Sequence, residues 1–174
     1  VEKMAFGPDH IKMLKELTTI SLDVHLMIEK PERKLDTIID AGADIITIHQ
    51  ESTTRLYSCI EKIKSRGVKA GVVLSPATNE DTLKYVLDKI DMILLMTINP
   101  GEAGPGFHEE LLTKIKNVRE LIGDRDIDLE VDGGIDNTNI AKCKEAGVNV
   151  FVSGGYVFKG DIAEKIKTLR EALK

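Results

Sequence analysis

Asp132 closes an apolar run over residues 127–131, and a carboxylate held rigidly at a strand end can take a proton as a general base or bind a metal ion. Strand-end aspartates also cap helices, so the chemical reading needs a partner. His25 offers one. Flanked by Val24 and Leu26, it lies on the opposite face of its run from them and projects into whatever space that face encloses. Alone, such a histidine reads as a satisfied core residue; convergence with Asp132 makes it a ligand. Two glycine pairs, Gly133-Gly134 and Gly154-Gly155, end successive apolar runs. Backbone N–H groups there can converge on an anion without side-chain obstruction, and the helix after Gly160 can add its positive end. Tight turns are the other use of such glycines, but two successive strands ending this way favour phosphate.

The elements that must position these residues alternate two textures. Short β-branched runs occupy residues 21–28, 44–48, 69–74, 91–98, 127–131 and 149–152, separated by stretches with helical spacing such as Leu111, Leu112, Ile115, Val118, Leu121 and Ile122. Near-continuous apolar strands separated by helices signify parallel β/α units. Six strands are expected, each followed by a helix. Asn79-Glu80-Asp81 opens one helix, and Gly42, Gly67 and Gly147 close others. The phrases Asp40-Ala41-Gly42-Ala43-Asp44 and Glu145-Ala146-Gly147-Val148-Asn149 repeat one way of leaving a helix and entering the next strand. A further helix, with Ile11, Leu14 and Leu17 on one face, precedes the first run. The polar residues fall where the runs end: His25 and Met27, His49 and Glu51, Ser75 and Pro76, Thr97 with Asn99 to Gly101, then Asp132 and Ser153. In parallel β/α folds this carboxyl face holds the active site.

The 174 residues predict one domain, and six units suggest either an open doubly wound sheet or a (β/α)8 barrel lacking its beginning. A net charge of −5 with scattered lysines argues against nucleic acid as partner. Apolar runs such as residues 93–96 stop far short of the ~20 residues that span a bilayer, so no membrane partner is expected. Cys59 and Cys143 lie in helical patterns without metal-type spacing, and nothing at the N-terminus reads as a signal peptide, which places the protein in a reducing, cytoplasmic setting. His10 and His108 read as solvated or local capping groups.

Five segments together resemble the ribulose-phosphate 3-epimerase family: Leu22-Asp23-Val24-His25-Leu26-Met27, Ala41-Gly42-Ala43-Asp44, Ile48-His49-Gln50-Glu51, Met96-Thr97-Ile98-Asn99-Pro100-Gly101 and Val131-Asp132-Gly133-Gly134-Ile135. The resemblance implies a (β/α)8 TIM barrel of which strands 3 to 8 are represented here. It implies an isomerase that interconverts D-ribulose 5-phosphate and D-xylulose 5-phosphate, working with a divalent metal held by two histidines and two aspartates. Zinc is the usual metal, with iron, manganese or cobalt as alternatives. By motif, His25 is a metal ligand and Asp132 both a ligand and one of two acid–base groups. His25, Met27, Met96, Gly101, Glu102, Ala103, Gly104, Gly133, Gly134, Gly154 and Gly155 would surround the sugar phosphate, and the family usually forms homo-oligomers.

Two departures qualify this. Glu102 and Pro105 replace a Phe and a Gln of the family loop, and a carboxylate beside phosphate leaves allulose 6-phosphate as an alternative substrate. The second-strand motif that carries the other His and Asp is absent, so the 174 residues are expected to be part of a longer enzyme and to lack turnover alone. A non-catalytic sugar-phosphate-binding remnant is the rival from a different class.

Overall fold

The computed structural model describes residues 6–102 and 106–174. Helix α1 (Pro8–Leu17) leads into strand β1 (Asp23–Leu26), and the chain continues through α2 (Leu35–Asp40), β2 (Ile45–His49), α3 (Leu56–Ser65), β3 (Lys69–Leu74) and β4 (Met92–Met96). Then follow α4 (Leu111–Ile122), β5 (Asp128–Asp132), α5 (Ile140–Glu145), β6 (Val150–Val152), α6 (Gly154–Val157) and α7 (Ile162–Ala172). All six strands fall inside or within one residue of the predicted runs and form one parallel sheet in sequential order.

The period of two along each strand sorts the core. Leu26, Ile46, Ile48, Val72, Ile93 and Leu129 face outward, buried against helix residues such as Leu35, Ile60, Ile63 and Ile115. Each such side chain contributes roughly 1.5–3 kcal/mol through burial. The inner face holds a smaller apolar cluster, Val73, Leu94 and Met96 with Met27 packed on it, and above it the polar strand ends.

The repeated helix-to-strand phrase has a structural purpose. Gly42 and Gly147 adopt φ of 100° and 114°, which a residue without Cβ takes at little cost. The turn then delivers Asp44 and Asn149, whose side-chain oxygens accept the Leu22 and Leu129 amides at 2.8 and 2.7 Å. Each phrase therefore ends one helix and ties the next strand to its predecessor.

One expectation fails. The connection after β3 is not an α-helix but two 3-10 helices, Glu80–Leu83 and Leu87–Lys89. Asn79 does open the first, its Oδ1 accepting the Asp81 amide at 2.7 Å. Leu83, Val86, Leu87 and Ile90 are all buried within this short connection, and tight turns bring them to the sheet. The fourth strand also ends earlier than predicted, at Met96, and the Thr97 hydroxyl donates to the Asp132 carbonyl at 3.0 Å and to that of Gly133. Among the described residues no helix is long and apolar enough to cross a membrane.

Candidate active site

Strands β1 and β5 are separated by three others, which in a flat sheet would hold them ~19 Å apart. Their side chains nevertheless meet: His25 Nδ1 lies 3.7 Å from Asp132 Oδ2. The sheet therefore curls into a half-barrel, and its curl brings together the two residues that sequence reasoning paired.

His49, on the end of β2, completes the constellation. Its Nε2 stands 2.9 Å from His25 Nε2, with the two rings nearly parallel. Its Nδ1 faces Glu51 Oε2 at 3.2 Å. The other Glu51 oxygen accepts the Ser75 amide at 2.8 Å and the Thr78 hydroxyl. Burial works against ionisation of Glu51, but the hydrogen bonds from His49, Thr78 and Ser75 outweigh it and hold the carboxyl at about 2. The loop that supplies Ser75 and Thr78 is itself pinned from beneath. Lys114, a buried residue of α4, donates from Nζ to the carbonyls of Ser75, Pro76 and Thr78 at 2.8, 3.2 and 2.5 Å.

Burial is the largest influence on His25 and lowers its pKa, against the pull of the Asp132 carboxylate. Burial thus favours the neutral ring, the form that has a lone pair to give. One turn of pleat below Asp132, Glu130 is 2% exposed and its Oε2 has no hydrogen-bond partner. Burial, then the charges of Asp23 and Asp132, raise its pKa.

The glycine pairs differ. At Gly133 and Gly134 a Cβ would lie 2.5 Å from Ile98 Cγ1 and 2.8 Å from the Phe107 nitrogen, and both have positive φ, so close packing of neighbouring loops demands glycine there. Gly154 and Gly155 are exposed with open space where a Cβ would stand, which leaves their backbone accessible. Ser153 Oγ bonds the Ile135 carbonyl at 2.6 Å and holds the two loops side by side. The helix after Gly160 does not offer a free positive end, because Asp161 Oδ1 already accepts the Glu164 amide there and adds a negative charge.

Met27 packs on the inner cluster that holds Met96, and a cavity of about 150 Å³ beside Met27 is lined by His49, Glu51, Ser75 and Pro100. Gly101 takes φ 83°, and Glu102 closes back on Asn99, whose Nδ2 donates to Glu102 Oε2 at 3.3 Å. Ala103 and Gly104 lie outside the described residues. His108 pairs with Glu110 and His10 rests against Phe6. Cys59 and Cys143 are free and buried.

In the sequence His49 and Glu51 stand among the strand-end residues with nothing but their spacing to assign them to the site. The signal was there: two residues apart, His49 and Glu51 share the end of one strand as His25 and Met27 share another. Lys114 gave no signal, because a lysine in an amphipathic helix reads as solvated.

A half-barrel of parallel β/α units, with a histidine and a carboxylate converging at its carboxyl face, defines a barrel-type α/β enzyme class. Solved structures agree on the fold: a 3-hexulose-6-phosphate synthase superposes with TM-score 0.80 at 22% identity, over 98% of this chain and 82% of that one. A 3-keto-L-gulonate-6-phosphate decarboxylase from Vibrio cholerae gives 0.79 at 18%, over 97% and 79%. The model of the Ribulose-phosphate 3 epimerase family matches residues 1–158. The chain is 42% identical to the chloroplastic ribulose-5-phosphate-3-epimerase of Arabidopsis thaliana, over 98% of its own length and 62% of the relative's. With the ribulose-phosphate 3-epimerase of Bacillus subtilis it shares 40% identity, over 98% of its length and 80% of the relative's. The chain belongs to the ribulose-phosphate 3-epimerase family.

Proposed function

We propose that this chain carries strands three to eight of an eight-stranded barrel, as one domain, and the larger part of the site of an isomerase that interconverts D-ribulose 5-phosphate and D-xylulose 5-phosphate. The 3.7 Å approach of His25 to Asp132 across the half-barrel carries the reading. The unpaired edges of β1 and β6 support the placement within a barrel, as do exposed apolar residues beside them, Leu17 and Ile20 near one and Phe158 and Ile162 near the other. Two more β/α units would cover both.

A neutral imidazole and a carboxylate oxygen form a donor pair that suits zinc, iron, manganese or cobalt. Their separation of 3.7 Å leaves room for a cation between them. His25 and Asp132 are the two ligands that this chain would supply. When bound, a divalent ion polarises the substrate carbonyl. Asp132 holds or removes the proton at C3, and inversion needs a second acid–base group on the opposite face. Met27 and Met96 supply apolar surface at the site and exclude water. Gly101, Glu102 and the Gly133-Gly134 turn shape its wall, while the open backbone of Gly154 and Gly155 receives the phosphate. Assembly into a homo-oligomer and a cytoplasmic setting go with this reading, the latter fitting two free thiols.

The test incubates the 174-residue chain with ribulose 5-phosphate and zinc in deuterated water. Deuterium should enter C3, a chelator should stop it, and Asp132→Asn should slow it by roughly 10²–10⁴. Xylulose 5-phosphate should not accumulate readily, since the motifs supply one acid–base group. Exchange indifferent to zinc and Asp132 would sink the epimerase reading; ready epimerisation would sink the one-base part.

A further inference from the structure

The hydrogen bonds around His49 have a direction. An ionised carboxylate only accepts, so Glu51 Oε2 requires that His49 carry its hydrogen on Nδ1. Neutral His49 then presents a lone pair at Nε2. Across 2.9 Å, His25 must supply the hydrogen from its own Nε2, which leaves the His25 lone pair on Nδ1, the nitrogen that faces Asp132.

We propose that Glu51 is a positioning residue that, through His49, fixes His25 in the tautomer whose Nδ1 lone pair points toward Asp132 and a shared cation. The inference rests on the reading of His25 and Asp132 as cation ligands. Without Glu51 the opposite arrangement is favoured, because Asp132 attracts a hydrogen on His25 Nδ1, and that hydrogen occupies the electron pair a cation needs. Ligand histidines commonly hand their second ring N–H to an acceptor that sets the tautomer, and here the acceptor is a histidine oriented in turn by a carboxylate. The anchoring of Glu51 fits the role. One oxygen is held by the Ser75 amide and the Thr78 hydroxyl, on a loop that Lys114 fastens through three carbonyls, so the other is held toward His49.

Glu51→Gln should invert the relay. The amide oxygen is claimed by Ser75 and Thr78, which turns the NH₂ toward His49 Nδ1. His49 must then accept there and donate from Nε2, and His25 carries its hydrogen on Nδ1. Two-bond ¹H–¹⁵N spectra of the metal-free, full 174-residue chain with labelled histidine, near pH ~8 where imidazole is neutral, read both tautomers. The wild type should show His49 with Nδ1–H and His25 with Nε2–H; Glu51→Gln should show both reversed. Zinc affinity, measured with zinc alone against a competing chromogenic chelator, should fall roughly 10- to 100-fold in the variant. A wild-type spectrum with His49 protonated at Nε2 overturns the proposal, even where the variant fails to fold. Unchanged tautomers and zinc affinity in a folded variant overturn it as well. Correct wild-type tautomers in a chain that binds no zinc would instead overturn the ligand reading and leave the relay standing.

Discussion

At the scale of the residue, the inner face concentrates charge that its own burial resists. Glu130 lies below Asp132 with an oxygen left unpaired, and its folded-state pKa is raised by burial and by neighbouring carboxylates. The sign of the consequence follows from proton counting. Over the interval between its unfolded and folded values the native state binds more protons than the unfolded chain, so stability is full below the unfolded value and declines as pH rises through the folded one. Thermal melts should therefore fall between about pH 5 and about pH 9, and Glu130→Gln should flatten that slope. A variant with the wild-type slope would show that Glu130 is not its source. Glu51 behaves oppositely: its lowered value contributes stability present above the ordinary carboxylate range and lost as pH drops toward about 2.

At the scale of the element, the two glycine pairs look alike in sequence and differ in what surrounds them. Gly134→Ala meets both the Phe107 backbone and a φ of 65°, and should lower unfolding stability by about 1–3 kcal/mol in denaturant titration. Gly154→Ala meets open space at an ordinary φ, so stability should change by less than about 0.5 kcal/mol. Weaker protection of the Gly154 variant by ribulose 5-phosphate in melts would place phosphate there; unchanged protection would remove that loop from the site. The space around each glycine thus separates the two pairs, which composition could not show. The strands themselves were legible, because period-two alternation and the glycine exits are local signals. The connection after β3 was not, because apolar spacing alone does not distinguish α from 3-10 turns.

At the scale of the whole molecule, the six parallel strands among the described residues leave two edges unpaired there, with Leu17 and Ile20 exposed at one end and Phe158 and Ile162 at the other. Such edges pair with whatever strand or apolar face arrives. The 174-residue chain should accordingly self-associate as concentration rises, and Leu17→Ser with Ile20→Ser should weaken that association in sedimentation velocity while changing stability by less than about 1 kcal/mol. An unaltered association constant would mean this face is not used. The sequence by itself determined the strands, the helix-to-strand turns and the family motifs, since each rests on neighbours in the chain or on a motif carried whole, and it named His25 and Asp132 as residues that act only if they converge. Only the tertiary structure decided that His49 bridges Glu51 to His25, which ring nitrogens face one another, and that Lys114 fastens the loop holding Glu51. Those contacts depend on the curl accumulated over successive strand pairs and on the register between them, quantities that no short stretch of sequence contains.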